Sequence, residues 1–454
     1  MVDFSTSRSN FSMKASIDFN EIVGKMKPMH AVNNGPRKAP IEQRCGNFET
    51  YKEAKIPYAR THDASFCAAY GGEHTVDVHA IFPDFSKNPY DENSYDFTLT
   101  DEYLQTIVDA GTQVYYRLGS KIEHWSKKYG TIVPADFHKW AVICEHIIRH
   151  YNEGWANGFH FNIIYWEIWN EADGVAMNGD HPNWSGTAEE YYEFYVESAS
   201  HLKKRFPHLK IGGPALSYLG NREWLAGFLN AIKQADKNVP LDFFSWHTYT
   251  NDPMKVKERA DQAREILDNE GFIDTETHLN EINYLKAGWG DRFDETIDEI
   301  GGIRGAVFHS CIMTVGQKSS LDMMMYYDAR LNTGFNGLFA PYTYRPLKGY
   351  YALKSFSRLY DLANEVQSES NDSDLYVVAS SDGNKEMAII SFYNADFARA
   401  EEKLNIEIKN KSKKYKLFLL DENNTLDPIP YQEDGNVLSV SIQPDSVVVV
   451  ESEN

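Results

Sequence analysis

Residues 165–174 read YWEIWNEADG, and the strand that ends inside this stretch decides the fold that we predict. Residues 163–169 form an apolar run rich in β-forming side chains, which indicates a buried strand. Asn170 and Glu171 follow this run directly, so two polar side chains stand at its carboxyl end. Barrels of parallel strands carry their reactive groups at that end of the strands, and the position therefore favours such a barrel.

The chain up to residue 360 alternates short apolar runs with helical stretches. Helical periodicity is clearest at residues 101–110, 135–151 and 189–205. We predict eight strands, at residues 29–33, 59–62, 114–118, 163–169, 209–212, 243–247, 278–282 and 323–327. This alternation predicts parallel strands joined by crossover helices. We therefore assign residues 28–360 to the α/β class, as a (β/α)8 TIM barrel.

The pattern changes after residue 360 to short β-type runs separated by turns. These runs lie at residues 375–379, 387–392, 404–408, 415–420 and 447–450. They predict a C-terminal antiparallel β-sandwich domain over residues 361–454, which we expect to be an accessory domain. A strand-like run at residues 13–19, within an N-terminal segment of residues 1–27, is expected to join that sandwich.

The charge of the chain excludes some classes of partner. The net charge of −21 argues against a nucleic-acid partner, which needs clustered Lys and Arg, and against an anionic membrane surface. The sequence contains no run of 18 apolar residues, so we predict no membrane-spanning helix. Residues 1–20 lack the apolar segment of a signal peptide. We therefore expect a cytoplasmic protein, and its composition leaves a homo-oligomer open.

Cysteine and histidine spacing gives no support for a metal or cofactor. Cys45, Cys67, Cys144 and Cys311 are widely separated, which is typical of free thiols in a reducing compartment rather than of a disulfide or metal framework. The 15 His residues show no HExxH spacing, and no GxGxxG or P-loop motif appears. We predict no metal and no cofactor.

Glu281, in the stretch HLNEINY at residues 278–284, is the predicted partner of Glu171. It ends the seventh predicted strand, whereas Glu171 ends the fourth. These two strands lie on opposing parts of an eight-strand ring, so the two carboxylates should face each other across its mouth. Such a pair hydrolyses glycosidic bonds. In a retaining enzyme, the two carboxyls lie about 5–5.5 Å apart.

The two motifs resemble those of the clan A glycosidases and, more narrowly, of glycoside hydrolase family 39, which includes β-xylosidases and α-L-iduronidases. Trp169-Asn170-Glu171 is similar to the WNEP-like motif that follows the fourth strand in that family. The resemblance covers roughly residues 28–360. It implies that Glu171 is the acid/base, and it departs from the family at Ala172, where Pro is usual.

The second motif carries the other half of the resemblance. Leu279, Glu281 and Asn283 match an L-T-E-[FW]-N-like motif on the seventh strand, which implies that Glu281 is the nucleophile. Asn280 stands where Thr is usual. The stretch from His247 to Tyr249 is similar to an H-x-Y-like motif on the sixth strand.

Further polar and aromatic residues stand at strand ends or in the loops beyond them. We expect Arg60 to orient the nucleophile or a sugar hydroxyl, and we expect Glu167 to lie deeper in the barrel and to be paired. Aromatic rings are candidate stacking platforms, because sugar rings present flat C–H faces. The candidate substrate-binding residues are Asn33, Arg60, His62, Asp63, Trp125, Asn170, His247, Tyr249, Trp289 and Tyr327.

These observations predict a retaining glycoside hydrolase that acts on short plant-type oligosaccharides by a double displacement. The family resemblance implies exo-acting, β-xylosidase-like activity with a carbohydrate as the partner. An α-L-arabinosidase or β-galactosidase activity on the same scaffold stays open. A non-catalytic carbohydrate-binding barrel is the alternative of a different class.

Overall fold

The computed structural model describes residues 12–38, 46–63, 74–176, 178–290, 292–395 and 398–453. Its first strand, β1 (Met13–Lys25), belongs to a C-terminal sheet, and the next eight strands form a closed parallel barrel in chain order. The barrel strands are β2 (Ala31–Asn33), β3 (Tyr58–Thr61), β4 (Gln113–Leu118), β5 (Tyr165–Ile168), β6 (Lys210–Leu216), β7 (Phe243–Thr250), β8 (Glu276–Tyr284) and β9 (Met323–Tyr326). The predicted (β/α)8 barrel is confirmed.

Helices cover the outside of the barrel. Those of the described residues are α1 (Phe48–Glu53), α2 (Val78–Ile81), α3 (Thr98–Asp109), α4 (Phe137–Glu153), α5 (Ala188–Arg205), α6 (Arg222–Gln234), α7 (Met254–Asn269), α8 (Phe293–Ile300), α9 (Ile303–Gln317) and α10 (Lys348–Asp361). Short 3-10 turns occur at Glu92–Ser94 and Trp155–Asn157. Nearly every residue of α9 is buried, because this helix lies between the barrel and the C-terminal sheet.

The C-terminal sheet has ten strands among the described residues. Beyond β1, they are β10 (Asn364–Ser370), β11 (Leu375–Ser381), β12 (Glu386–Phe392), β13 (Glu402–Ile408), β14 (Tyr415–Leu420), β15 (Thr425–Ile429), β16 (Gln432–Asp434), β17 (Val437–Ile442) and β18 (Ser446–Ser452). Their order in the sheet is β15-β14-β18-β12-β11-β10-β1-β13-β17-β16. Alternate residues of the central strands serve different cores. Ile389 and Val449 pack in the core shared with the barrel, whereas Ile390 and Val448 pack in a second core with Ile406.

One pairing differs from the antiparallel arrangement predicted for this domain. β1 pairs antiparallel with β10 but parallel with β13. Parallel neighbours need a long connection, and here the whole barrel separates β1 from β13 in the chain.

The cysteines and helices add two observations. Cys144 and Cys311 are free and buried, while Cys45 and Cys67 lie outside the described residues. No helix among the described residues is both long enough and apolar enough to cross a membrane.

Candidate active site

Glu171 and Glu281 meet at the carboxyl end of the barrel around the imidazole of His247. Nδ1 of His247 lies 2.7 Å from Oε1 of Glu171 and 3.4 Å from Oε2 of Glu281. One oxygen of each carboxyl and a ring nitrogen of His247 all lie within 4.8 Å of one another. The structure therefore brings together the two carboxylates that the sequence placed on the fourth and seventh strands of the barrel.

A sharp backbone turn after β5 presents Glu171. Trp169 and Glu171 both adopt the left-handed conformation, with φ of 72° and 48°. For residues other than glycine this conformation costs about 1 kcal/mol or more, and it persists where the surroundings fix it. The amide of Glu171 donates to the carbonyl of Ala215 over 2.9 Å, which ties the turn to β6.

A β-bulge in β8 aims two neighbouring side chains into the barrel. The register of β8 against β7 advances by one residue between Leu279 and Glu281, which leaves Asn280 as an extra residue. On a regular strand neighbouring side chains point to opposite faces. Here Asn280 donates to Oε1 of Glu167 over 2.5 Å, and Glu281 accepts from Arg60 in the same buried network.

Arg60 is fully buried and holds four groups beneath the cleft. Its Nε donates to Oε2 of Glu167 over 2.6 Å, and its Nη1 donates to Oε1 of Glu281 over 2.7 Å. Nη1 also donates to Oδ1 of Asn33 over 3.0 Å, and Nη2 donates to Oδ1 of Asn170 over 2.6 Å. The planar guanidinium thus fixes the orientation of the Glu281 carboxylate. The predicted burial and pairing of Glu167 is confirmed.

The Glu281 carboxylate has donors on both of its oxygens. Tyr249 donates to Oε2 over 2.9 Å, and Nε2 of His62 lies 3.5 Å from Oε1. Behind His62, Asp63 lies 3.0 Å from Arg330. Burial alone would raise the pKa of Asp63, but His62 and Arg330 hold that pKa below its ordinary value.

Glu171 lies in a different environment, with 20% of its side chain exposed. Asn183 donates to its Oε2 over 3.1 Å. Burial raises the pKa of Glu171, although His62 and Arg60 oppose the shift. Burial also lowers the pKa of His247 to about 4, so this ring is neutral at neutral pH.

Asn183, Asp173 and Ser217 belong to the site but were not predicted. The backbone N–H and the hydroxyl of Ser217 donate to the two oxygens of Asp173, each over 2.8 Å. Burial raises the pKa of Asp173 to about 6. Asn183 and Ser217 lie beyond strand ends, in loops without periodicity. Of these three residues, Asp173 alone lies within the stretch YWEIWNEADG, two residues after Glu171.

The predicted aromatic platforms differ in their surroundings. Trp289 is 51% exposed, and its ring centroid lies 5.1 Å from that of Tyr249. The ring of Tyr327 lies 5.7 Å from that of His62. Trp125 is 80% exposed in the loop after β4, and within the described part of the chain no hydrogen bond or ring contact joins it to either carboxylate. A stacking role for Trp125 stays a prediction.

Glu171, His247 and Glu281 are also the described residues whose spacing would suit a metal ion. Their ligand atoms are engaged otherwise. His247 Nδ1 is hydrogen-bonded to Glu171, and both oxygens of Glu281 face donors from Arg60 and Tyr249. A guanidinium beside the carboxylate repels a cation, so the site suits proton transfer better than metal ligation.

Two curated relatives align with part of the chain. The β-xylosidase of Geobacillus stearothermophilus is 27% identical over 167 residues, which cover 35% of this chain and 31% of that protein. The β-xylosidase of Caldicellulosiruptor saccharolyticus is 25% identical over 174 residues, which cover 35% of this chain and 32% of that protein. Each alignment thus spans about a third of the relative's length.

Solved structures share the fold over nearly the whole chain. A glucosidase from Croceicoccus marinus has a TM-score of 0.78 at 21% identity, covering 98% of this chain and 99% of that one. A family 39 β-xylosidase from Caulobacter crescentus has a TM-score of 0.69 at 17% identity, covering 97% and 100%. At these identities the similarity concerns the fold alone. The family model described as glycosyl hydrolases family 39 matches residues 50–287, just over half of the chain. The chain therefore belongs to glycosyl hydrolase family 39.

Proposed function

We propose that the protein is a retaining glycoside hydrolase in which Glu281 is the nucleophile and Glu171 is the acid/base. One observation carries this proposal: an oxygen of Glu171 and an oxygen of Glu281 lie within 4.8 Å of each other, beside a shared imidazole. Carboxyl groups of retaining enzymes are about 5–5.5 Å apart, whereas inverting enzymes need about 6.5–9.5 Å to admit a water.

The contacts of the two carboxyls support different roles. Arg60 and Tyr249 both donate to Glu281, and these hydrogen bonds hold its carboxylate in a fixed orientation for attack. Glu171 has its pKa raised by burial, which favours the protonated form that an acid needs. This difference supports an acid at the end of β5 and a nucleophile on β8.

The reaction then runs in two balanced steps. Glu281 attacks the anomeric carbon while the bond to the leaving oxygen breaks, and Glu171 gives its proton to that oxygen. The esterified Glu281 carries no charge, so it no longer opposes ionisation of Glu171. In the second step Glu171 takes a proton from water, the water oxygen bonds to the anomeric carbon, and Glu281 leaves as the carboxylate.

The curated relatives support a β-xyloside as the substrate. We propose exo-acting hydrolysis of short plant-type oligosaccharides, because both aligned relatives are named β-xylosidases. No contact in the described site favours an α-L-arabinoside or a β-galactoside over a β-xyloside.

The test is hydrolysis of a panel of nitrophenyl glycosides, followed by NMR of the first sugar released. We expect the β-xyloside to be the best substrate and β-xylose to appear before mutarotation. Release of α-xylose first would show inversion and overturn the mechanism. Failure to cleave any glycoside of the panel would instead favour a carbohydrate-binding barrel.

A further inference from the structure

The C-terminal sheet reaches the loop that follows β7 at the carboxyl end of the barrel. Tyr393, directly after β12, is fully buried, and its hydroxyl donates to the backbone carbonyl of Asn251 over 2.6 Å. Asn251 comes two residues after Tyr249, the side chain that donates to Glu281. A residue of the sheet is therefore joined, through a short length of backbone, to a group that holds the proposed nucleophile.

The loop after β7 is also joined to the loop after β8. The side chain of Asn251 donates to the carbonyl of Lys286 over 3.1 Å. The second loop carries Trp289, whose ring centroid lies 5.1 Å from that of Tyr249. The two loops thus form a connected rim on this side of the cleft, and a displacement of Asn251 would move both aromatic rings.

Tyr393 is itself held firmly from the side of the barrel. The guanidinium carbon of Arg304, in the first turn of α9, lies 4.0 Å from the centre of the Tyr393 ring. Nη1 of Arg304 donates to the carbonyl of Asn394 over 2.9 Å and to Oδ1 of Asp445 over 2.8 Å. Because this cation packs on the ring and bonds to the segments beside β12 and β18, the Tyr393 hydroxyl has a fixed position.

The hydrogen bond from Tyr393 differs in its end point from other contacts between the sheet and the barrel. The hydroxyls of Ser310 and Ser391 lie 2.8 Å apart, and Gln317 donates to Glu365 over 2.7 Å. Both of these contacts join the sheet to α9, whereas Tyr393 joins it to a loop of the cleft. A displacement of about 1 Å at an active site can lower a rate roughly 100-fold, so the position of such a loop affects the reaction.

We propose that Tyr393 is a positioning residue that acts on Tyr249 through the carbonyl of Asn251. It keeps the Tyr249 hydroxyl at hydrogen-bonding distance from the Glu281 carboxylate. The C-terminal sheet thereby takes part in the reaction through the loop after β7 rather than through a contact with the substrate. The inference deepens the proposed function and rests on it for the role of Glu281.

The first test is a double-mutant cycle between Tyr393 and Tyr249. Tyr393→Phe keeps the ring beside Arg304 and removes the hydroxyl. We expect it to lower kcat/KM on nitrophenyl β-xyloside by roughly three- to tenfold in the otherwise wild-type chain, but by less than about twofold in the Tyr249→Phe background. An effect of the same size in both backgrounds, or no effect in either, would overturn the proposal.

Tyr195→Phe is the matched control. The Tyr195 hydroxyl donates to the carbonyl of Pro240 over 3.0 Å, but Pro240 precedes β7 and so lies at the opposite end of that strand. Both variants remove a tyrosine hydroxyl from a backbone carbonyl, so both should unfold at lower urea concentrations than the wild type. Tyr393→Phe should also lower kcat/KM, whereas Tyr195→Phe should not, because a loss of stability alone leaves the activity of folded molecules unchanged.

The second test does not depend on turnover. Hydrogen exchange of the full chain, followed by mass spectrometry, measures the opening of the peptides that cover residues 249–254 and 284–290. Tyr393→Phe should speed exchange in both peptides by roughly threefold or more, and Tyr195→Phe should leave both at the wild-type rate. Wild-type exchange in Tyr393→Phe, together with normal hydrolysis of nitrophenyl β-xyloside, would reject this inference alone. Faster exchange in a chain that cleaves no glycoside would instead support the tie between Tyr393 and the loops and reject the proposed function.

Discussion

Tyr249 donates its phenolic hydrogen bond to Oε2 of Glu281 over 2.9 Å, while Arg60 holds the other oxygen of that carboxylate. Tyr249→Phe should keep the ring and remove this hydrogen bond. Hydrogen bonds to charged groups are worth about 1.5–3 kcal/mol. We therefore expect kcat/KM to fall by roughly 10- to 150-fold.

The control for this prediction is a tyrosine hydroxyl outside the cleft. Tyr192 donates to the carbonyl of Trp224 over 2.8 Å, and Tyr192→Phe should leave kcat/KM unchanged. Steady-state rates on nitrophenyl β-xyloside measure both variants. Wild-type kcat/KM in Tyr249→Phe would show that the hydroxyl does not support Glu281 during the reaction.

The hydrogen bond from Asn183 is expected to influence the pH at which Glu171 loses its proton. Its amide donates to Oε2 of Glu171 over 3.1 Å, and this hydrogen bond lowers the pKa of Glu171 against the rise caused by burial. Asn183→Ala should therefore raise that pKa further. Because the proposed first step needs Glu171 in its protonated form, the alkaline limb of the kcat/KM profile should move to higher pH. Asn221→Ala, whose side chain makes no capping hydrogen bond, is the control. A shift to lower pH would contradict the predicted role of Asn183.

The proposed roles of the two carboxylates predict glycosyl azides of opposite configuration. In Glu281→Ala, azide should occupy the vacated space and attack from the nucleophile's face, giving a glycosyl azide of inverted configuration. In Glu171→Ala, an activated aryl glycoside should still form the intermediate, which azide then attacks to give a product of retained configuration. The measurement is the configuration, determined by NMR, of the glycosyl azides that the two variants form from dinitrophenyl β-xyloside. The reverse pattern would exchange the two roles, and wild-type activity in both variants would place the catalytic pair elsewhere.

The raised pKa of Asp173 predicts how the free energy of unfolding depends on pH. Burial raises its pKa in the folded state from 3.8 to about 6, so the folded protein keeps a proton that the unfolded chain releases. The stabilisation that comes from this bound proton is thus fully present below about pH 4 and is lost as the pH rises to about 6. The contribution of Asp173 to the free energy of unfolding should fall by about 3 kcal/mol over this range.

Asp173→Asn removes that titration. Urea unfolding at a series of pH values should show the variant gaining stability relative to the wild type between about pH 4 and pH 6.5. The exposed Asp236→Asn is the control and should follow the wild type. A difference between Asp173→Asn and wild type that does not vary with pH would rule out a raised pKa at Asp173.

The barrel strands could be predicted because short β-type runs, such as the apolar β5, alternate with helical stretches along the chain. The C-terminal sheet was predicted less completely. β10 reads NEVQSES, with a single strongly apolar residue, and it forms because it pairs with β1, more than 300 residues earlier in the chain. β17 reads VLSVSI, whose alternation is typical of a strand and offered a usable signal.

The carboxylate pair could be placed on the right strands because Glu171 follows an apolar run and Glu281 lies in the β-type stretch HLNEINY. The partners of those carboxylates could not all be found in this way. Asn183 reaches Glu171 because Trp169 donates to its backbone carbonyl over 2.7 Å, a contact made between a strand end and a loop. Such contacts depend on the path of the loop rather than on any local pattern.

The extra residue at Asn280 allows one strand to supply two consecutive side chains to the inside of the barrel. A one-residue deletion there would restore strict alternation and leave Glu281 opposite His247, because β7 has no residue opposite the extra one. The deletion would, however, remove the amide that donates to Glu167, whose other donors are Arg60 and Ser245. Among homologues, a gap at this position should therefore be accompanied by a change at the position of Glu167.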